Sequence, residues 1–189
     1  MLAERPDLTA EVHWRPFQLQ PGLPAAGIPW TEFADRKFGG WERARAMFEN
    51  VRAAGEAEGV PFDFDRVANA FNSTDAHRLI LAGEDAGLGQ AVADAMFEAY
   101  FARGLNLATR EGLTGAATGA GLAAEDVAAV LDGDGYRAEV IESQRAANRA
   151  GVDGVPFFIF DNRFAFSGAQ PVEVFRQALD MALSGAAAD

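Results

Sequence analysis

The stretch GVPFFIFDNRFAFSGAQP, residues 154–171, limits what this chain can fold into more than any other. A proline opens an aromatic run, two turn-forming residues interrupt it, and a second aromatic run follows. Proline cannot donate a ladder hydrogen bond, so it is confined to the first position of a strand, to an edge or to a bulge. Pro156 therefore predicts the beginning of a buried strand rather than its middle. Asp161 and Asn162 are residue types that supply the positive φ angles of a two-residue turn. The segment predicts a hairpin with Phe158, Phe160, Phe164 and Phe166 at or near paired positions. QPVEVFRQALDMAL then reads as an amphipathic helix with Pro171 in its first turn and Val174, Phe175, Leu179 and Leu183 facing inward.

Upstream, EVHWRPFQL (11–19) has enough apolar alternation for a strand that ends or runs at an edge near Pro16. QPGLPAAGIPW (20–30) is a loop by its prolines and glycines. Helical patterns follow at 33–38 and 41–58. Ser73 or Thr74 predicts an N-cap, followed by Ala76, Leu79 and Ile80 at helical spacing. QAVADAMFEAYFARG carries a broad stripe of Val92, Met96, Phe97, Tyr100 and Phe101, with Gly104 as its stop. Further helices are predicted at 109–118, 124–131 and 135–150, the last burying Val140, Ile141 and Ala147. A strand, a helical block, two strands and a helix make an α/β chain with a helical insertion.

Composition excludes several functions. With 28 acidic and 16 basic residues the formal net charge is -12. Nucleic-acid partners and anionic membrane surfaces are therefore disfavoured, because both select positive charge. No apolar run approaches the roughly 20 residues of a spanning helix. MLAERPDLTAEVHW lacks a signal-peptide core, so a cytoplasmic location is expected. The chain has no cysteine. Disulfides, thiolate catalysis and cysteine metal sites are excluded from these residues.

Local motifs are weak. Gly119, Gly121 and Ala124 match a dinucleotide fingerprint in spacing, but no strand precedes them, which makes them a helix connector. Asp132 and Asp134 lack the remaining ligands of a calcium loop. The two histidines, His13 and His77, come with no identifiable carboxylate set, so no metal site is expected. Ser167 sits between a strand and a helix without a nucleophile-elbow motif.

Five ordered segments together resemble one family: VHWRPFQLQP (12–21), FNSTDAHRLI (71–80), MFEAYFARGLNL (96–107), GVPFFIFDNRFAFSGAQP (154–171) and FRQALDMAL (175–183). They are similar to the FrnE-like branch of the DsbA-type thioredoxin-fold proteins. The resemblance implies a thioredoxin-like core at 1–30 and 151–189 and a helical insertion at 31–150. It implies that Pro156 is a cis-proline and that Val155 offers backbone groups to an extended peptide or thiol ligand. The implied ligand-binding set is Val155, Pro156, His13, Trp14, Asn72, His77, Ser167 and Gln170.

The family pattern also opens with a strand and a Cys-x-x-Cys helix, and this chain lacks both. The resemblance thus implies a thiol–disulfide oxidoreductase or isomerase whose catalytic pair is absent here, through a mis-assigned start or a true loss. No cofactor is expected, and the partner would be a disulfide-containing protein or a small thiol. The related kappa-class glutathione transferases and hydroxychromene carboxylate isomerases would instead take glutathione. Their acidic contact before the last helix is replaced here by Ser167-Gly168-Ala169-Gln170. A third reading is a non-catalytic peptide-binding protein. Loss of the first core strand would leave unpaired edges, so low stability or a homo-oligomer through the open edge is expected.

Overall fold

The computed structural model describes residues 5–6 and 8–186. Its chain divides into two compact units, one of residues 1–12 and 144–189 and the other of residues 13–143. Residues 13–30 group with the helices of the larger unit.

The larger unit holds β1 (Ile28–Pro29), α1 (Trp30–Phe38), α2 (Trp41–Ala57), β2 (Asn69–Ala70), α3 (Thr74–Asp85), α4 (Gly89–Phe97), a single π turn (Glu98–Ala102), α5 (Arg110–Gly119) and α6 (Ala124–Asp132). α7 (Arg137–Arg149) begins in this unit and ends in the other. β1, inside what the sequence presents as a loop, forms only a two-residue antiparallel bridge with β2.

Two cores fill this unit. Ala76, Leu79 and Ile80 of α3, Val92 and Met96 of α4, Leu113 of α5 and Val127 of α6 pack at helical spacing in the first. The second is aromatic and centres on Trp30, which stacks on Phe33, Phe48 and Phe64 at centroid distances of 5.5, 5.3 and 6.4 Å. Gly55 in α2 permits this packing, because a Cβ there would come within 2.7 Å of the Phe62 ring. The π turn carries Tyr100 and Phe101 to the same cluster. Its defining bond runs from Arg103 N–H to Glu98 O at 3.0 Å. The chain then leaves through Gly104 at φ 66, the stop that the sequence indicates.

The smaller unit holds β3 (Phe157–Phe160), β4 (Phe164–Ser167) and α8 (Val172–Ala186). Phe158 pairs with Phe166 and Phe160 with Phe164. These side chains share the face covered by α8, where Phe175 meets Phe158 edge-on at 4.7 Å and Phe166 at 4.9 Å. A hairpin alone is marginal in water, and this aromatic contact with a helix is what gives it a core. Asp161 and Asn162 take φ 51 and 52 as expected. Arg163 N–H closes the turn on Phe160 O at 3.0 Å. Pairing resumes only at Phe164, so Arg163 is one residue more than the predicted two-residue loop.

Several expectations need correction. Residues 11–19 form no strand. β3 is half-buried rather than buried, with Ile159 59% exposed. Ile141, Phe97 and Leu183 are exposed. Among the described residues of α8 the buried positions are Ala178 and Ala182, beside the partly buried Phe175 that packs on the hairpin.

Candidate functional site

The predicted ligand-binding residues fall into two groups, each built on its own unit. His13, Trp14, Asn72 and His77 belong to the larger unit and gather along α3. Val155, Pro156, Ser167 and Gln170 belong to the smaller one and gather at the open end of the hairpin.

Along α3, His77 and Glu84 are seven residues apart and therefore share a face. Residues 13–18 lie on that face in extended form, running opposite to the helix. Trp14 N–H donates to Glu84 Oε1 at 3.3 Å, and His13 Nδ1 lies 3.3 Å from Glu84 Oε2. Two turns earlier, His77 hydrogen-bonds the backbone of Phe17. Gln18 Nε2 reaches Asn72 Oδ1 at 3.2 Å and Thr74 Oγ1 at 3.0 Å. The two pitches match: ten helical residues rise about 15 Å and four extended ones about 13 Å. From α7, Ser143 Oγ donates to Pro16 O at 2.8 Å.

The apolar positions of 11–19 do not share one buried face: Trp14 packs against the helices, while Val12 and Leu19 are exposed. Side chains satisfy this backbone where a ladder would have done so in a strand. Trp14 adds an indole N–H to Gln90 Oε1 at 3.0 Å and a tilted contact with Phe97 at 5.8 Å.

Asn72 is a hub. Its Nδ2 donates to Leu23 O at 3.0 Å and Pro21 O at 3.3 Å, which pins the Pro/Gly loop. Its Oδ1 accepts Thr74 N–H at 3.0 Å. Asn72 therefore caps α3, while Ser73, at the N-cap position, makes no side-chain cap bond. Asn72 and Thr74 line a cleft of about 230 Å³ with Asp75, Arg137, Leu107 and Leu113.

Burial lowers the pKa of His77, and its backbone hydrogen bond to Phe17 partly opposes that shift. The ring is neutral at pH 7. Arg78, one residue on, is 1% exposed. It donates to Gly133 O at 2.6 Å, Gly135 O at 2.7 Å and Asp75 Oδ1 at 2.8 Å, and also to Val130 O. These carbonyls end α6, so Arg78 is a brace for a helix C-terminus. Nothing in the local pattern marks the roles of Arg78 and Ser143, whose partners are far along the chain. Glu84 had one signal, its spacing of seven from His77.

At the hairpin the Val155–Pro156 peptide bond is cis. Pro156 O accepts Gly168 N–H at 2.8 Å, which ties the turn before β3 to the loop after β4. Gly168 has φ 84, a conformation natural to glycine. Ser167 pairs with Phe157 and its carbonyl accepts Gln170 Nε2 at 2.8 Å. The Gln170 amide is thus folded back on its own loop, which carries no carboxylate for an ammonium group. Val155 is 45% exposed. Among the described residues, neither its N–H nor its C=O has a hydrogen-bond partner. An extended ligand can supply both.

Among the described residues no cluster of three or more His, Asp or Glu side chains could hold a metal ion. No described helix is long and apolar enough to cross a membrane.

The family model of the DSBA-like thioredoxin domain matches residues 2–180. Among solved structures, the chain is similar to a probable DsbA oxidoreductase of Streptomyces coelicolor. The TM-score is 0.82 at 36% identity, over 90% of this chain and 74% of that one. No curated protein matches. The fold is thioredoxin-like, mixed α/β and rich in helix, and the chain belongs to the DSBA-like thioredoxin-domain family, a family of thiol–disulfide oxidoreductase type.

Proposed function

We propose that this chain serves a FrnE-type thiol–disulfide oxidoreductase by holding the sulfur-bearing ligand at Val155–Pro156, with the redox dithiol supplied from outside these 189 residues. The observation that carries this reading is the exposed backbone of Val155. The unpartnered N–H and C=O of Val155 stand beside an apolar strand, and the sequence contains no cysteine.

In the reaction an external thiolate attacks one sulfur of the ligand disulfide. A new S–S bond forms as the old one breaks, and the displaced sulfur leaves as a thiolate that takes up a proton. This chain's part is positional. Val155 pairs with the backbone of the extended ligand, and Pro156 sets the direction of that pairing because its own carbonyl is held by Gly168. Orientation of this kind lowers the barrier by replacing a random encounter with a fixed approach.

Calorimetric titration of the chain with a short disulfide-linked peptide tests the reading. Binding is expected, and Pro156→Ala is expected to weaken it about tenfold, ~1.4 kcal/mol. Equal affinity of the two proteins would overturn the role of the turn. Dithiol oxidation by the chain alone would overturn the assignment of the redox pair to an outside source.

A further inference from the structure

We propose that the cleft walled by α3, α5 and the first residue of α7 binds a free aliphatic α-amino acid by both of its charged groups. All of the lining residues lie in the larger unit. Leu107 and Leu113 are buried members of the helical core and, with Ala25 and Ala108, give the cleft an apolar floor. Its volume of about 230 Å³ lies below the roughly 300–1,000 Å³ of pockets for drug-sized ligands, so the occupant is smaller than those.

The polar side chains of the cleft divide into satisfied and unsatisfied ones. Asn72 donates its amide N–H groups to Pro21 O and Leu23 O, and its Oδ1 accepts from Gln18 and Thr74. Thr74 Oγ1 donates to Asn72 Oδ1 and accepts from Gln18 Nε2. Asp75 and Arg137 differ. Asp75 Oδ1 accepts Arg78 Nη1 at 2.8 Å, while among the described residues Asp75 Oδ2 accepts nothing. Arg137 donates Nε–H to Asp134 Oδ1 at 3.0 Å, while among the described residues its terminal N–H groups have no hydrogen-bond acceptor. Arg137 Nη2 lies 4.0 Å from Asp75 Oδ1, close enough for attraction and too far for a hydrogen bond.

An amino acid matches this pair in charge and in hydrogen-bonding groups. Its ammonium donates to Asp75 Oδ2, and its carboxylate accepts two bonds from the Arg137 fork. Its side chain lies on Leu107 and Leu113. A ligand with one charge would part Asp75 from Arg137 and replace only one of the two attractions. The end of a peptide carries one of the two charges and is disfavoured for that reason. Water competes at the half-buried mouth of the cleft, so the dissociation constant is on the order of 0.1–1 mM.

Titration of the full chain with L-leucine, followed by the methyl NMR signals of Leu107 and Leu113, is the test. Both sets of signals are expected to shift and to saturate. N-acetyl-L-leucine lacks the ammonium and L-leucinamide lacks the carboxylate, and each is expected to bind about tenfold more weakly. Arg137→Gln should weaken leucine about tenfold and erase its advantage over leucinamide. Asp75→Asn keeps an oxygen for Arg78 and should erase the advantage over N-acetyl-leucine. Should either variant fail to fold, the three ligands on the wild type decide. Shifts that are absent or never saturate with leucine, or equal affinity for the three ligands, would overturn the proposal.

Discussion

His77 holds the backbone of Phe17 from the first full turn of α3, and that bond fixes the extended segment to the helix. The ring is mostly withdrawn from water, so its charged form is disfavoured in the folded chain and its pKa lies below the ordinary 6.5. An unfolded chain takes up the proton first. Stability from this group is complete above about pH 6.5 and is lost as pH falls through the lower folded value. Urea melts between about pH 7.5 and pH 5 should show this decline, and His77→Gln should flatten it. An unchanged slope in the variant would contradict the assignment.

Asn72 performs two separable tasks, and substitutions can divide them. Asn72→Asp keeps the oxygen that caps Thr74 but loses the N–H groups held by Pro21 and Leu23. Hydrogen exchange should then quicken in residues 20–25 while α3 stays protected. Asn72→Ala removes both and should cost about 1–3 kcal/mol of stability. Faster exchange in α3 for the Asp variant would show that the tasks are not separable.

Arg78→Met should be among the most damaging substitutions in the larger unit. It strips the carbonyls of Val130, Gly133 and Gly135 of a common donor in a buried place. The expected loss is about 3–5 kcal/mol, read from denaturant midpoints. Arg78→Lys should rescue only part, because an ammonium cannot span these acceptors as a planar fork does.

Tyr136 donates its hydroxyl to Asp85 Oδ2 at 2.7 Å. That bond, with burial and nearby carboxylates adding to it, raises the phenol from 10.0 to about 12. The folded chain keeps this proton longer than the unfolded one. The linked stability is complete below about pH 10 and is lost as pH rises toward about 12. Near-UV titration should show both tyrosines ionising late, Tyr100 because it is buried, and Tyr136→Phe should remove one of the two late phases while leaving the other.

The sequence made the hairpin legible because its information is local. Asp161-Asn162 specifies the turn, and the spacing of Phe158, Phe160, Phe164 and Phe166 specifies one face. The helices with strong periodicity, such as 74–85, were legible for the same reason. Residues 11–19 were not: of the apolar positions that suggested a strand, Val12 is exposed, and Trp14 packs against helices rather than within a sheet. Trp30 was hidden by its setting in IPW, where proline signals a loop although the indole centres an aromatic core. Among the candidate site residues, position followed from pattern but hydrogen bonding did not. Asn72 and Arg78 reach partners 49 to 57 residues away, a range over which one sequence carries no periodic signal.

The π turn at Glu98–Ala102 has a consequence in genetic terms. It winds one residue more than an α-helix needs to cover the same ground. Losing a single codon there would relax the turn to ordinary pitch and leave α4, which precedes it, in phase. The same loss within α3 or α4 would rotate every following side chain by about 100° and turn core positions to water. Chain length and core register are thus uncoupled by one residue at this turn, where the helix carries Tyr100 to Asn69 O at 2.8 Å.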